Sequence, residues 1–150
     1  MRTRTTASLV GLNLCLAAQA FSPHLALAAE PAVVMHVVQV GDAEYISGGK
    51  SPAERAELRA RTDDFRLEIK LGSNTEVSRH NPVAIKLKRH GDNARPIQLT
   101  AAGPLVLVNI PSGSYTVTAS ARDVLPVESH FRLEPGEIKQ LDLALGSATR

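Results

Sequence analysis

Aromatic side chains are scarce in this chain of 150 residues, which has three Phe, two Tyr and no Trp. A carbohydrate platform needs exposed aromatic faces for sugar rings, so sugar binding is disfavoured. Cysteine is scarcer still, with one residue, Cys15, in the whole sequence. It lies in an N-terminal leader, so a processed chain has no disulfide and no thiol chemistry. Lipid attachment at Cys15 is disfavoured because Leu14 precedes it, where a small residue is expected. Charge of one sign is lacking as well: 17 Lys and Arg fall to 15 when Arg2 and Arg4 leave with the leader, against 15 Asp and Glu. A near-neutral domain has no long-range attraction for nucleic acid or for an anionic membrane. Long apolar runs are missing too. The best, Ala7 to Ala20, is broken by Gly11, Asn13 and Gln19, and falls short of the roughly 20 apolar residues that a membrane-spanning helix needs.

What the first 29 residues do contain is basic Arg2 and Arg4, that apolar run, and small residues at Ala26, Ala28 and Ala29. This is the pattern of a secretory signal peptide, with cleavage expected near Ala28 or Ala29 and a periplasmic or secreted product. About 120 residues then remain as one domain, enough to bury well over half of the surface of the unfolded chain.

Within that domain, apolar residues recur with period two, the signature of strands with one face on a core and one in water. Phe65, Leu67, Ile69 and Leu71 alternate with Arg66, Glu68 and Lys70, and Val83, Ile85 and Leu87 alternate with Ala84, Lys86 and Lys88. Leu105 to Val108 is apolar on both faces, which predicts a strand covered on both sides. Pro111-Ser112-Gly113-Ser114 forms a turn, with Pro presetting φ and Gly free to take positive φ. That turn is expected to join adjacent antiparallel strands, the second carrying Tyr115, Val117 and Ala119 inward. Val127 to Leu133 and Glu137 to Leu145 follow as strands, with Pro135-Gly136 between them. Ile138 is out of phase with Leu141, Leu143 and Leu145, which predicts a bulge near Lys139 or Gln140. Val33 to Val40 reads as a strand, Tyr45 to Gly49 as an ordered linker, and residues 146–150 as a frayed tail. One helix stands out over residues 52–62, peripheral and opened by Ser51-Pro52-Ala53-Glu54, with a capping serine, a proline at the first position and a glutamate at the third.

Six or seven short strands with Gly and Pro turns predict an all-β, two-sheet antiparallel Greek-key sandwich over residues 30–145, with one short helix. The run from Gly103 to Ala119, then Phe131-Arg132-Leu133-Glu134-Pro135-Gly136 and Leu141-Asp142-Leu143, resembles the carboxypeptidase regulatory-like domain. The resemblance implies a transthyretin-like sandwich. Tyr45 to Gly49 and the helix are similar to the opening of small exported bacterial proteins that carry this domain alone and whose function is largely unassigned. Arg122-Asp123-Val124 stands where members carry Gly-Tyr or Gly-Phe.

Candidate sites are few. His36, His80, His90 and His130 show no H-x-H or H-x-x-x-H spacing, and His80 and His90 bracket one strand, about 30 Å apart at strand rise. Surface histidines without a metal are therefore expected, and no cofactor is implied. There is no G-x-S-x-G elbow and no conspicuous carboxylate pair, which argues against an enzyme. The transthyretin-like hydrolase ends in Tyr-Arg-Gly-Ser, whereas this chain ends Gly-Ser-Ala-Thr-Arg. Pro111, Gly113 and Tyr115 form the structural motif, with the tyrosine ring expected on the core edge and its hydroxyl on nearby backbone. Tyr45, Ser47, Gly48 and Gly49 are the candidate ligand-binding residues, because consecutive glycines before a capped helix leave N–H groups open to a ligand. The expected function is a non-catalytic interaction or binding module of the cell envelope with a protein partner. A small-molecule or metal-binding protein is the alternative, and a hydrolase a distant third.

Overall fold

Period-two segments become strands wherever one face can be buried, and nine form among the residues described by the computed structural model: 33–72, 81–91, 93, 95–122 and 124–146. The expectations for the leader, His80, Asp123 and residues 147–150 fall outside that set. In chain order the elements are β1 (Val38–Val40), β2 (Ala43–Gly48), α1 (Pro52–Ala60), β3 (Leu67–Gly72), β4 (Val83–Arg89), β5 (Ile97–Ala101), β6 (Leu105–Asn109), β7 (Gly113–Ser120), β8 (Val127–Leu133) and β9 (Lys139–Ala144). A 3-10 turn, Thr62–Asp64, follows the helix.

They form a two-sheet sandwich. One sheet has five strands in the order β1-β2-β6-β3-β9, the other four in the order β5-β4-β7-β8. All pairings are antiparallel except β3 with β9, which run parallel from Leu67 opposite Lys139 to Gly72 opposite Ala144. The expectation of a wholly antiparallel sandwich is corrected at that one ladder.

Two strands had no clear signal in the sequence. The expected linker at Tyr45 to Gly49 is largely β2, flanked by β1 and β6. Ala43 and Tyr45 enter the core between the sheets and Ile46 packs under the helix, so burial on both faces erases the alternation. Ile97–Ala101 is the other. The first strand shortens to Val38–Val40, and the helix ends at Ala60 rather than residue 62.

The turn at residues 111–114 does not join paired neighbours. It carries the chain across from β6 in one sheet to β7 in the other. The burial of the two strands explains this: Val106 and Val108 face the inter-sheet core while Leu107 lies under the helix, so β6 needs cover on both faces. β7 alternates its buried Tyr115, Val117 and Ala119 with hydroxyl residues of the outer face, and so belongs in the sheet with a solvated side. The bulge expected in the last strand is also absent. β9 pairs with β3 without interruption from Lys139, and Ile138 stays in the preceding turn, 49% exposed.

Burial is split between two clusters. Leu67, Ile69, Leu71, Ile85, Leu87, Val117, Phe131, Leu133 and Leu143 belong to the core between the sheets. Ile46, Leu58, Phe65 and Leu107 form a second cluster beneath α1. Phe65, expected in line with Leu67, Ile69 and Leu71, joins this helix cluster instead.

Candidate functional site

The residues picked out at 45–49 do not share one surface. Tyr45 is buried in the inter-sheet core. Ser47 Oγ accepts the Ala102 N–H at 3.0 Å, and Gly49 adopts φ +94° at the entrance to the helix. A side chain there would be strained, which gives the glycine a purely conformational reason.

The N–H groups of this turn are already engaged. The Glu54 carboxylate, from the first turn of α1, accepts the Gly49 N–H at 2.8 Å and the Lys50 N–H at 2.9 Å, both through Oε2. Ser51 Oγ in turn accepts the Glu54 N–H at 3.1 Å, so the serine and the glutamate cap the helix and the turn before it together. Arg55 Nη1 donates to the Gly49 and Lys50 carbonyls at 2.9 and 3.2 Å. A depression of about 310 Å³ remains beside the turn, lined by Met35, Ser47, Gly48, Lys50 and Glu54 among others.

The motif at Pro111, Gly113 and Tyr115 is an arch held from three directions. The Tyr115 hydroxyl donates to the Pro111 carbonyl at 2.8 Å, and its ring stacks on Phe131 with centroids 5.5 Å apart. Tyr115 thus has the buried ring and backbone-bound hydroxyl expected of it. Arg66 Nη1 donates to the Ile110 carbonyl at 3.2 Å, while its Nη2 donates to Ser112 Oγ at 3.0 Å and to the Glu134 carbonyl at 2.6 Å. Arg89 Nη2 donates to the Ser112 carbonyl at 2.9 Å. A Cβ on Gly113, whose φ is +153°, would stand 2.8 Å from Arg89 Nε, so the absent side chain leaves room for the guanidinium.

Beside this arch, at one end of the sandwich, lies a cleft of about 400 Å³ that sequence spacing does not disclose. Leu87 of β4 and Tyr115 of β7 supply buried apolar surface, joined by Val40, Pro96 and Ile97. Arg89, Arg95 and Asp42 bring charge to it. Its walls come from β1 and the turn after it, from the segment entering β5, and from the arch. An apolar cavity of this size with a few convergent polar groups is the usual form of a small-ligand site.

A second constellation lies on the outer face of the four-stranded sheet. His90 Nε2 is 2.6 Å from Thr116 Oγ1, which is 2.8 Å from His130 Nδ1. His130 Nε2 is 3.5 Å from Glu128 Oε1. Hydroxyl, imidazole and carboxylate in a row suggest nucleophilic chemistry, but Thr116 sits in the middle of β7, between β4 and β8. In a strand paired on both sides the backbone N–H groups are committed to the ladders, so β7 itself offers none to stabilise an oxyanion. Sequence spacing could not reveal this histidine pair, because β7 stands between the two.

Among the described residues no helix is long and apolar enough to cross a membrane, and no group of three or more His, Cys, Asp or Glu could hold a metal ion. No protein-family model, curated protein or solved structure matches the chain.

Proposed function

We propose that this protein is an exported, non-catalytic binding module whose ligand, or the side chain of a partner protein, occupies the cleft between the arch and β5. The cleft carries the reading: apolar surface from Leu87, Ile97 and Tyr115 lies beside the exposed Arg95. That combination suits an apolar body ending in a carboxylate or phosphate, since a guanidinium offers paired donors to such a group. Asp42 on the rim opposes the anion and sets the selectivity.

Thermal-shift titration with medium-chain fatty acids, aryl carboxylates and alkyl phosphates tests this. A ligand at 100 times its Kd adds about 2.7 kcal/mol of stability, which is readily visible. Arg95→Ala should weaken binding at least tenfold, and Asp42→Asn should strengthen it. No shift across the three classes, or a shift indifferent to both substitutions, refutes the assignment.

A further inference from the structure

His90 and His130 are brought together by the ladders on either side of β7. Thr116 pairs directly with His130 of β8, while the His90 N–H donates to the Ser114 carbonyl at 2.8 Å and extends the β4 ladder one step past Arg89. The two imidazoles therefore flank one hydroxyl, with ring centroids 6.1 Å apart and planes inclined at 52°. Both histidines are exposed, whereas Thr116 is buried.

A hydroxyl has a single proton, so with both rings neutral it donates to one ring nitrogen and accepts from the N–H of the other. His90 Nε2 and His130 Nδ1 each lie within hydrogen-bond distance of the same oxygen atom. The shared oxygen holds the two ring nitrogens near each other, and because both histidines are exposed their rings can swing clear of the hydroxyl to meet one ion at metal–imidazole distances of about 2.0–2.1 Å. The Glu128 carboxylate faces the other nitrogen of His130 at 3.5 Å. A carboxylate on that side favours the tautomer that leaves Nδ1 bare for a metal.

We propose that His90 and His130 form a two-histidine site for a divalent first-row transition metal ion across β7, with water filling the remaining positions. Imidazole ligands and the affinity order of these ions make Cu²⁺ the tightest, ahead of Ni²⁺ and Zn²⁺. The exposed Lys88 and Arg132 of the same sheet lower the affinity, and Glu128 raises it.

The test uses tag-free protein at pH 7.5, titrated by calorimetry with Cu²⁺ in a weakly competing buffer. Paramagnetic broadening of imidazole NMR signals by sub-stoichiometric Cu²⁺ locates the ion. Broadening confined to His90 and His130 is expected, with at least tenfold weaker binding in His90→Asn and in His130→Asn, and wild-type affinity in His36→Asn. Circular dichroism verifies that each variant is folded. Equal affinity in the wild type and the His90→Asn/His130→Asn double variant, or first broadening at another histidine, overturns the proposal.

Discussion

One added methyl group should have very unequal consequences at two glycines that touch each other. Gly103 lies over β2 where its ladder with β6 ends at Gly48 and Leu105. A Cβ on Gly103 would collide with the Gly48 carbonyl oxygen and stand 2.6 Å from the Gly48 carbonyl carbon, with no flexible group to give way. Overpacking costs about 1–3 kcal/mol and occasionally more, and an obstacle made of backbone places Gly103→Ala at about 3 kcal/mol. A Cβ on Gly48 would meet the end of the Met35 side chain and approach Glu54 Oε2 at 3.1 Å. Met35 is only half-buried and its terminal methyl can turn aside. Restricting the unfolded chain returns about 0.4–1 kcal/mol, so Gly48→Ala should lie within about 1 kcal/mol of wild type. In urea titrations read by circular dichroism, Gly103→Ala should move the midpoint far down and Gly48→Ala hardly at all. In thermal scans the corresponding drops are about 10 °C or more against a few degrees. Equal losses, or a larger loss at Gly48, would refute the close packing of this loop on β2.

Other outcomes follow from single contacts. Leu58→Ala removes the one fully buried residue of the helix and should cost about 2–5 kcal/mol, with amide exchange rising in α1 well before β4 and β7. Glu54→Ala strips the Gly49 and Lys50 N–H groups of their acceptor and should cost about 1.5–3 kcal/mol by chemical denaturation, whereas Glu54→Gln retains an uncharged acceptor and should cost less. Arg66→Ala frees the Ile110 and Glu134 carbonyls and should destabilise by about 2 kcal/mol; Arg66→Lys should not restore the loss, because an ammonium cannot span the same acceptors. The Glu137 carboxyl is held below its ordinary pKa of 4.5, first by the Glu134 N–H and then by Lys139. A lowered folded-state pKa means that the stabilisation is present above pH 4.5 and is lost as pH falls through the folded value. Glu137→Gln should therefore lower the urea midpoint at pH 7, and the gap to wild type should narrow as pH falls below 4.5.

Strands that alternate were legible because each has one wet face. Val83–Arg89 and Val127–Leu133 appear with the boundaries that alternation implies, and the helix start was legible because Ser51, Pro52 and Glu54 act locally. β2 was not, since it is buried on both sides and ends at glycine. The crossing at Pro111 and Gly113 was misjudged for a related reason: a Pro-x-Gly turn reports that the chain reverses, not that its arms pair. Around the candidate site, the Tyr115 hydroxyl bond to nearby backbone and the positive φ of Gly113 were legible because both are local, but the cleft gathers residues from four separate stretches. The His90–Thr116–His130 row depends on strand order, which no spacing encodes.

The parallel ladder between β3 and β9 has a consequence for the order of assembly. β3 comes early in the domain, yet its outer neighbour is the last strand of the chain. β4 and β5, or β7 and β8, can pair as soon as both are made, whereas β9 must close a loop spanning most of the domain before any contact rewards it. Completion of the five-stranded sheet is accordingly the late step of folding. Until Lys139–Ala144 arrives, a chain still being synthesised holds β3 as an open edge, and that is the interval in which it is most prone to pair with another copy.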